Sequence, residues 1–313
     1  MEFYARAKDE LVRVAPESAC CKTAELSALV KTDGVVRISE GRLSISIPES
    51  NAGVARKIVA LLKDAGRPEL QVAVRKNRGL PKGNTYIVSI RRHEEALELL
   101  DKLGLSGSAS FKGPDAAIVE KWCCKRAFIR GAFLGAGYMS QPGKGYHLEI
   151  AVESSTFAQF LCDLVAEFGV HTGIVQRRGR SVVYVKDGDG VVELLRIMDA
   201  PNALLELEND RIVRSIRNDV NRLVNAENAN LAKSVEASCR QMQDIKLIDD
   251  YMGIQRLPVS LREIAMARME NPEANLTELG SMLVPAISKS GVNHRMRRIA
   301  QIAQNLRDKD GEE

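Results

Sequence analysis

Apolar and polar residues alternate along "VVRISEGRLSISIPE" (35–49) around Glu40-Gly41, the period of two that predicts a β-hairpin. The next segment, "NAGVARKIVALLKDAG", changes period. Val54, Ile58, Leu61 and Leu62 fall on one face of a helix that ends at Gly66. A second hairpin, "LQVAVRKNRGLPKGNTYIVSIR", and a closing helix, "EEALELLDKLGL", follow. The same order recurs downstream in "YHLEIAV", "STFAQFLCDLVAEFG", "GIVQRRGRSVVYVK" and "DGVVELLRIMD", with a shorter second hairpin loop. Helices near 22–33 and 122–136 precede the two sets, so the pattern reads αββαββα twice.

Sliding the chain by 103 positions aligns the two sets. Gly34 falls on Gly137, Gly66 on Gly169 and Arg75 on Arg178, while Leu26 meets Ile129, Val30 meets Phe133, Ile58 meets Leu161 and Leu61 meets Leu164. This is an internal duplication, with halves at about 1–105 and 106–205. The first helix of each half carries small residues every fourth position: Ala24, Ala28, Thr32, and Ala127, Gly131, Gly135. Mid-helix glycine costs about 1 kcal/mol, which asks for a packing reason. The two helices are therefore expected to pack on each other about a pseudo-twofold axis, each closed by a left-handed glycine cap at Gly34 or Gly137.

After Pro201 there is no glycine or proline until Gly253, and the pattern reads as helix with a break expected near Asn225–Asn230. Residues 206–230 are taken as a helical linker and 231–313 as a separate all-α domain. Asn218, Asn221, Asn225 and Asn228 form one stripe. They can reach base edges or phosphates; the alternative is a stripe that faces water or neighbouring polar groups. Further on, Ser260 with Glu263 and Asn275 with Glu278 read as capping boxes, and Ser288 as the cap of a third helix. Short helices around a turn, the last one basic, predict a helix-turn-helix over about 275–307. Val292, Met296, Ile299 and Ala303 supply that helix's packing face. Lys289, Ser290, Asn293, His294 and Arg297 lie on the other side and are the candidates for reading base edges, with Arg295 and Arg298 for flanking phosphates.

Composition narrows the function classes. Apolar content of 45% with 27% charged residues is that of a globular protein. Net charge is only +4, so contact with nucleic acid must rest on local patches. Aromatics at 4% disfavour base-stacking platforms for single strands. "MEFYARAKDEL" has no apolar core and no stretch suits a bilayer, so neither secretion nor membrane insertion is expected, and the cytoplasm, on the nucleoid, is the expected location. "RKNR" and "RRGR" form two basic hairpin tips, with Arg75, Lys76, Arg78, Arg177, Arg178 and Arg180 as candidate phosphate contacts. Binding of a protein partner there is the rival reading.

Four of the six cysteines sit in two Cys-Cys-Lys triplets, at 20–22 and 123–125. A four-thiolate zinc site is one reading. Adjacent helical side chains point about 100° apart, so buried small residues at the start of each seam helix are preferred, and no metal or cofactor is expected.

"FIRGAFLGAGYM" resembles the LAGLIDADG motif of homing endonucleases, running Ile129 to Gly137 here and Leu26 to Gly34 in the first half. The resemblance implies two sheets forming a saddle, a central helical seam, and an acid at the penultimate motif position of each half to bind the ions of cleavage. Those positions hold Asp33 and Ala136, and no carboxylate lies between Lys121 and Glu149. One ligand is missing, so no catalytic residue is assigned and an enzyme is not expected. Together "CCKRAFIRGAFLGAGYMS", "NDVNRLVNAENANL" and "ISKSGVNHRMRRI" resemble the WhiA family of bacterial regulators along the whole chain. That resemblance implies an α+β fold, a degenerate LAGLIDADG-like domain followed by a helix-turn-helix, and a double-stranded DNA partner. It also implies a role in sporulation or in cell division and chromosome segregation. The alternatives are an endonuclease or maturase using Asp33, and a scaffold working through the saddle.

Overall fold

A computed structural model of the chain describes residues 3–16, 18–77, 83–106 and 116–310. The chain divides into two compact units between Val213 and Arg214. In the first, α1 (Phe3–Arg13) precedes α2 (Ala19–Asp33), β1 (Val35–Ser39), β2 (Arg42–Glu49), α3 (Ala52–Ala65), β3 (Leu70–Asn77), β4 (Gly83–Ile90) and α4 (His93–Lys102). The second half repeats the order as α5 (Trp122–Ala136), β5 (Gly137–Met139), β6 (Leu148–Val152), α6 (Ser155–Ala166), β7 (Gly173–Arg177), β8 (Arg180–Val185) and α7 (Gly188–Met198). The sheets have matching strand orders, β1-β2-β4-β3 and β5-β6-β8-β7, all antiparallel. The duplicated αββαββα α+β architecture is present.

Strand alternation buries one face of each sheet. Ile45, Ile47, Val88 and Ile90 do this in the first sheet, Leu148, Ile150, Val183 and Val185 in the second, and all join one core with α2 and α5. The turns follow the sequence signal: Glu40-Gly41 and Arg178-Gly179 each place two successive residues at positive φ, as a tight hairpin of right-twisting strands requires.

The seam between α2 and α5 shows why small residues recur. A Cβ on Gly131 would stand 2.4 Å from the Glu25 carbonyl oxygen, and one on Gly135 would stand 2.2 Å from Thr32 Oγ1. Backbone approaches backbone, and only a hydrogen fits. Beside this contact lies an ionic cluster that periodicity did not reveal. Glu25 is 0% exposed; its carboxylate accepts from Arg130 Nη2 at 2.9 Å and lies 2.6 Å from Lys57 Nζ. Lys57 also donates to the Leu11 and Val14 carbonyls, and Arg130 to Asp199 Oδ2 at 3.1 Å. Removing one member of such a buried set leaves an uncompensated charge, so it locks the register of the seam.

The helix ends correct the expected left-handed caps. Gly34 and Gly137 have φ of −69° and −83°, in the extended region. Space, not handedness, selects glycine: a Cβ would stand 2.2 Å from the Val30 carbonyl oxygen at Gly34 and 2.3 Å from Phe133 Cδ2 at Gly137.

The helix α8 (Pro201–Met252) is continuous, without the break expected near Asn225–Asn230. Its start contributes Ala203 and Leu207 to the first core, and its end Ile245 and Ile248 to the second. Every position from Ser215 to Glu236 is exposed. Three helices complete the second unit: α9 (Val259–Glu270), α10 (Leu276–Met282) and α11 (Lys289–Asp310). Among the described residues no helix is long and apolar enough to cross a membrane.

Gly131→Val is expected to lower the stability of the duplicated unit by about 1–3 kcal/mol through overpacking. Gly83→Ala, which meets open space, is expected to change it by less than about 0.5 kcal/mol. Thermal unfolding of the two variants distinguishes a close-packed seam from a loose one.

Candidate nucleic-acid interface

The second unit is organised to hold one helix. Val292, Met296, Ile299 and Ala303 on α11 are buried against Ile264, Ala265 and Leu279 of α9 and α10. The chain reaches α10 through a capping box: Asn275 Oδ1 accepts from the Thr277 and Glu278 amides, and Glu278 accepts from the Asn275 amide at 2.8 Å. Arg268, 2% exposed, donates to the Pro272 and Ala274 carbonyls and fixes the loop ahead of that box. The turn after α10 closes on Gly280, whose carbonyl accepts from the Ile287 amide at 3.0 Å. A Cβ there would stand 2.3 Å from the Ile287 oxygen, so glycine is required by close approach. Ser288 caps α11 through the Gly291 amide, as its position suggested.

The expected box at Ser260 and Glu263 does not form. The helix α9 begins at Val259, which puts Ser260 inside the first turn, and Arg295 Nη1 donates to the Ser260 carbonyl at 3.2 Å. Arg295, expected at a phosphate, uses one N–H of its guanidinium to tie α11 to α9.

Lys289, Ser290, His294, Arg297 and Arg298 are exposed on α11, opposite the buried face, with Asn293 half-buried on its flank. Among the described residues Lys289 and Arg297 make no ion pair, and Arg298 donates to Gln301 Oε1 at 3.3 Å. His294, Arg297, Arg298 and Gln301 line an open groove together with Pro258 and Ser260. Asn218, Asn221, Asn225 and Asn228 all face solvent on α8.

On the sheets, register sorts the basic residues. Arg75 pairs with Thr85 and Arg177 with Arg180, on the faces turned away from the buried Val88 and Val183 rows, whereas Lys76 falls on the opposite face from Arg75. Tyr138 opposite Glu149 repeats Val35 opposite Ser46, and counting from there makes Arg177 the equivalent of Arg75, one residue off the uniform offset. Arg178 occupies the hairpin turn itself. Arg177 lies 3.4 Å from Glu149 and Arg180 4.0 Å from Glu153, so both are partly neutralised. Arg78 lies outside the described residues.

At the foot of the seam Asp33 is half-buried at the end of α2, with Ala136 at the matching place on α5. Burial, aided by the charge of Glu49, raises the Asp33 carboxyl to about 6, against the opposing charges of Lys8 and Arg180. Glu49 is itself buried and accepts from the Asn51 amide at 2.8 Å. Both acids come from the first half. At the head of the seam, adjacent cysteines do not diverge as expected: the Sγ atoms of Cys20, Cys21, Cys123 and Cys124 lie within 4.8 Å of one another.

Family models match the chain over residues 19–106 as the WhiA N-terminal LAGLIDADG-like domain, 125–217 as the WhiA LAGLIDADG-like domain and 220–303 as the WhiA C-terminal HTH domain. A "Probable cell division protein WhiA" of Alkaliphilus oremlandii is 43% identical, over 98% of both chains. The chain belongs to the WhiA family. Another WhiA, from Heliobacterium modesticaldum, is 42% identical over 97% of this chain and 96% of its own. The full-length WhiA crystal structure from Thermatoga maritima is similar at a TM-score of 0.61 and 25% identity, covering 97% of this chain and 99% of that one. The WhiA architecture of duplicated LAGLIDADG-like region and helix-turn-helix thus accounts for both units.

A carboxyl raised in the fold favours its protonated form. Asp33 therefore contributes stability fully below about pH 4 and loses it as pH rises through about 6, a swing on the order of 3 kcal/mol. Asp33→Asn is expected to match the parent in thermal unfolding at pH 4 and to exceed it at pH 8. Equal stability of the two proteins at pH 8 removes this account of Asp33.

Proposed function

We propose that this WhiA-family chain is a sequence-specific DNA-binding regulator, a transcription factor acting in cell division, chromosome segregation or sporulation, without nuclease activity. The observation that carries it is the split character of α11, with an apolar side seated on α9 and α10 and an exposed side bearing Lys289, Ser290, His294 and Arg297. A helix so mounted suits the major groove, where lysine and arginine pair with guanine and asparagine with adenine. Lys289, Ser290, Asn293, His294 and Arg297 are the proposed base readers. Arg295 and Arg298 contact flanking phosphates, and Arg295 also holds the helix to its support. The relatives' name supports the cell-division role, and the nucleoid is the proposed place of action.

The duplicated unit adds phosphate contacts through Arg75, Arg177, Arg178 and Arg180, with Asn218, Asn221 and Asn225 as further contacts along α8. A second reading has a specific observation behind it. Val72 and Val74 are 55% and 54% exposed on β3, an edge strand of the first sheet, a surface that suits a protein partner. Cleavage is disfavoured because a two-ion displacement draws carboxylates from both sides of the scissile bond. Asp33 and Glu49 stand in one half, opposite Ala136.

Arg297→Ala is expected to weaken binding to a selected DNA site by about 1–3 kcal/mol and to relax specificity at one base position. Unchanged affinity and specificity in a gel-shift titration refute the recognition-helix assignment. Supercoiled plasmid with Mg²⁺ is expected to stay intact. Nicking that disappears in Asp33→Ala reverses the non-enzymatic reading.

A further inference from the structure

The head of the seam carries four thiols; Cys21 and Cys124 belong to the core and Cys20 packs against it, yet neither DNA binding nor packing calls for sulfur at all four positions. Cys20 and Cys21 follow Ala19 in the first turn of α2, and Cys123 and Cys124 follow Trp122 in the first turn of α5. Each half supplies two ligands at matching positions. Cys21 and Cys124 are buried, Cys20 half-buried and Cys123 exposed, so the group has a closed floor and one side open to an arriving ion. All four sulfurs lie within 4.8 Å of one another.

We propose that Cys20, Cys21, Cys123 and Cys124 form a structural zinc site that clasps the two halves of the duplicated unit. Tetrahedral zinc with four thiolates has Zn–S bonds of about 2.3 Å, which sets its sulfurs about 3.8 Å apart. Closing the present cluster to that spacing takes about 1 Å at most, within the reach of side-chain torsions. Soft thiolates select zinc over the hard divalent cations that carboxylates hold. Four protein ligands complete the coordination sphere, so the site is structural and leaves no position for a reacting water.

The surroundings suit the charge. Four thiolates around a dication leave two negative charges in excess, and they sit in the first turns of two helices, whose N-terminal dipole ends favour negative charge. Ser18 Oγ donates to Cys21 Sγ at 3.0 Å and lies 3.2 Å from Cys20 Sγ, the kind of outer hydrogen bond that orients metal ligands. As zinc enters, the thiols give up their protons to solvent and their sulfurs bond to the ion, with no change of oxidation state.

The test uses the full-length chain, purified under reductant, exposed to Zn²⁺ and dialysed. One zinc per chain is expected by elemental analysis, and Co²⁺ in its place is expected to give sulfur-to-cobalt charge-transfer absorption. Cys123→Ser, at the exposed ligand, is expected to keep its far-ultraviolet circular dichroism. Its zinc affinity is expected to fall by at least the roughly 100-fold that loss of an outer partner can cost. Cys239→Ser, exposed and outside the cluster, is expected to bind zinc like the parent. A folded chain that retains no zinc and shows no charge-transfer band overturns the proposal. Undiminished zinc in Cys123→Ser, or a disulfide among the four after reductive purification, overturns it as well.

Discussion

Two helix backbones meet at the centre of the duplicated unit with no room for a side chain between them. Gly131 sits so near the Glu25 carbonyl that a single added carbon would overlap it. That contact brings α2 and α5 to a separation only small residues permit, and each helix leads straight into the first strand of its own sheet. The seam thereby fixes both sheets. Their outer faces, and the arginines on them, are placed by a contact inside the core.

Burying Glu25, Lys57 and Arg130 at the same seam is costly in desolvation, and the attraction among them does little more than offset it. What the cluster supplies is uniqueness. A slide of one helix along the other by a turn separates Glu25 from Arg130, so the buried carboxylate is satisfied in the register observed. Asp33 at the foot of the same seam behaves in the opposite way: burial disfavours its charge, and no second half-motif acid faces it. The place on α5 that matches Asp33 holds Ala136, so the acids at this end of the seam come from the first half alone.

The second unit solves a different problem, presenting a helix that must be both rigid and accessible. Rigidity comes from the groups beneath it: the Asn275–Glu278 box, Arg268 on the loop carbonyls, and the Gly280–Ile287 closure. Accessibility comes from spacing, since Val292, Met296, Ile299 and Ala303 occupy one side and leave Lys289, Ser290, His294, Arg297 and Arg298 exposed. Arg295 shows the boundary between the two tasks. It sits at the flank of the packing face, where one guanidinium N–H reaches the Ser260 carbonyl.

Local periodicity determined the elements and their duplication, because a period of two or of 3.6 is a property of neighbouring residues, and a duplicated fold leaves the same period at a constant offset. It also determined the packing face of α11, and residue type at a known position showed alanine at 136 where the LAGLIDADG resemblance implies an acid. Tertiary structure alone decided the rest. The caps at Gly34 and Gly137 are set by room rather than handedness, the box at Ser260 is displaced by an earlier helix start, and Arg295 is drawn to α9. Glu25 pairs with Arg130 across 105 positions, and four sulfurs from two helix starts converge. Each of these depends on distances between segments remote in the chain, and a one-dimensional pattern carries the phase of a side chain around its own helix but not what stands opposite it.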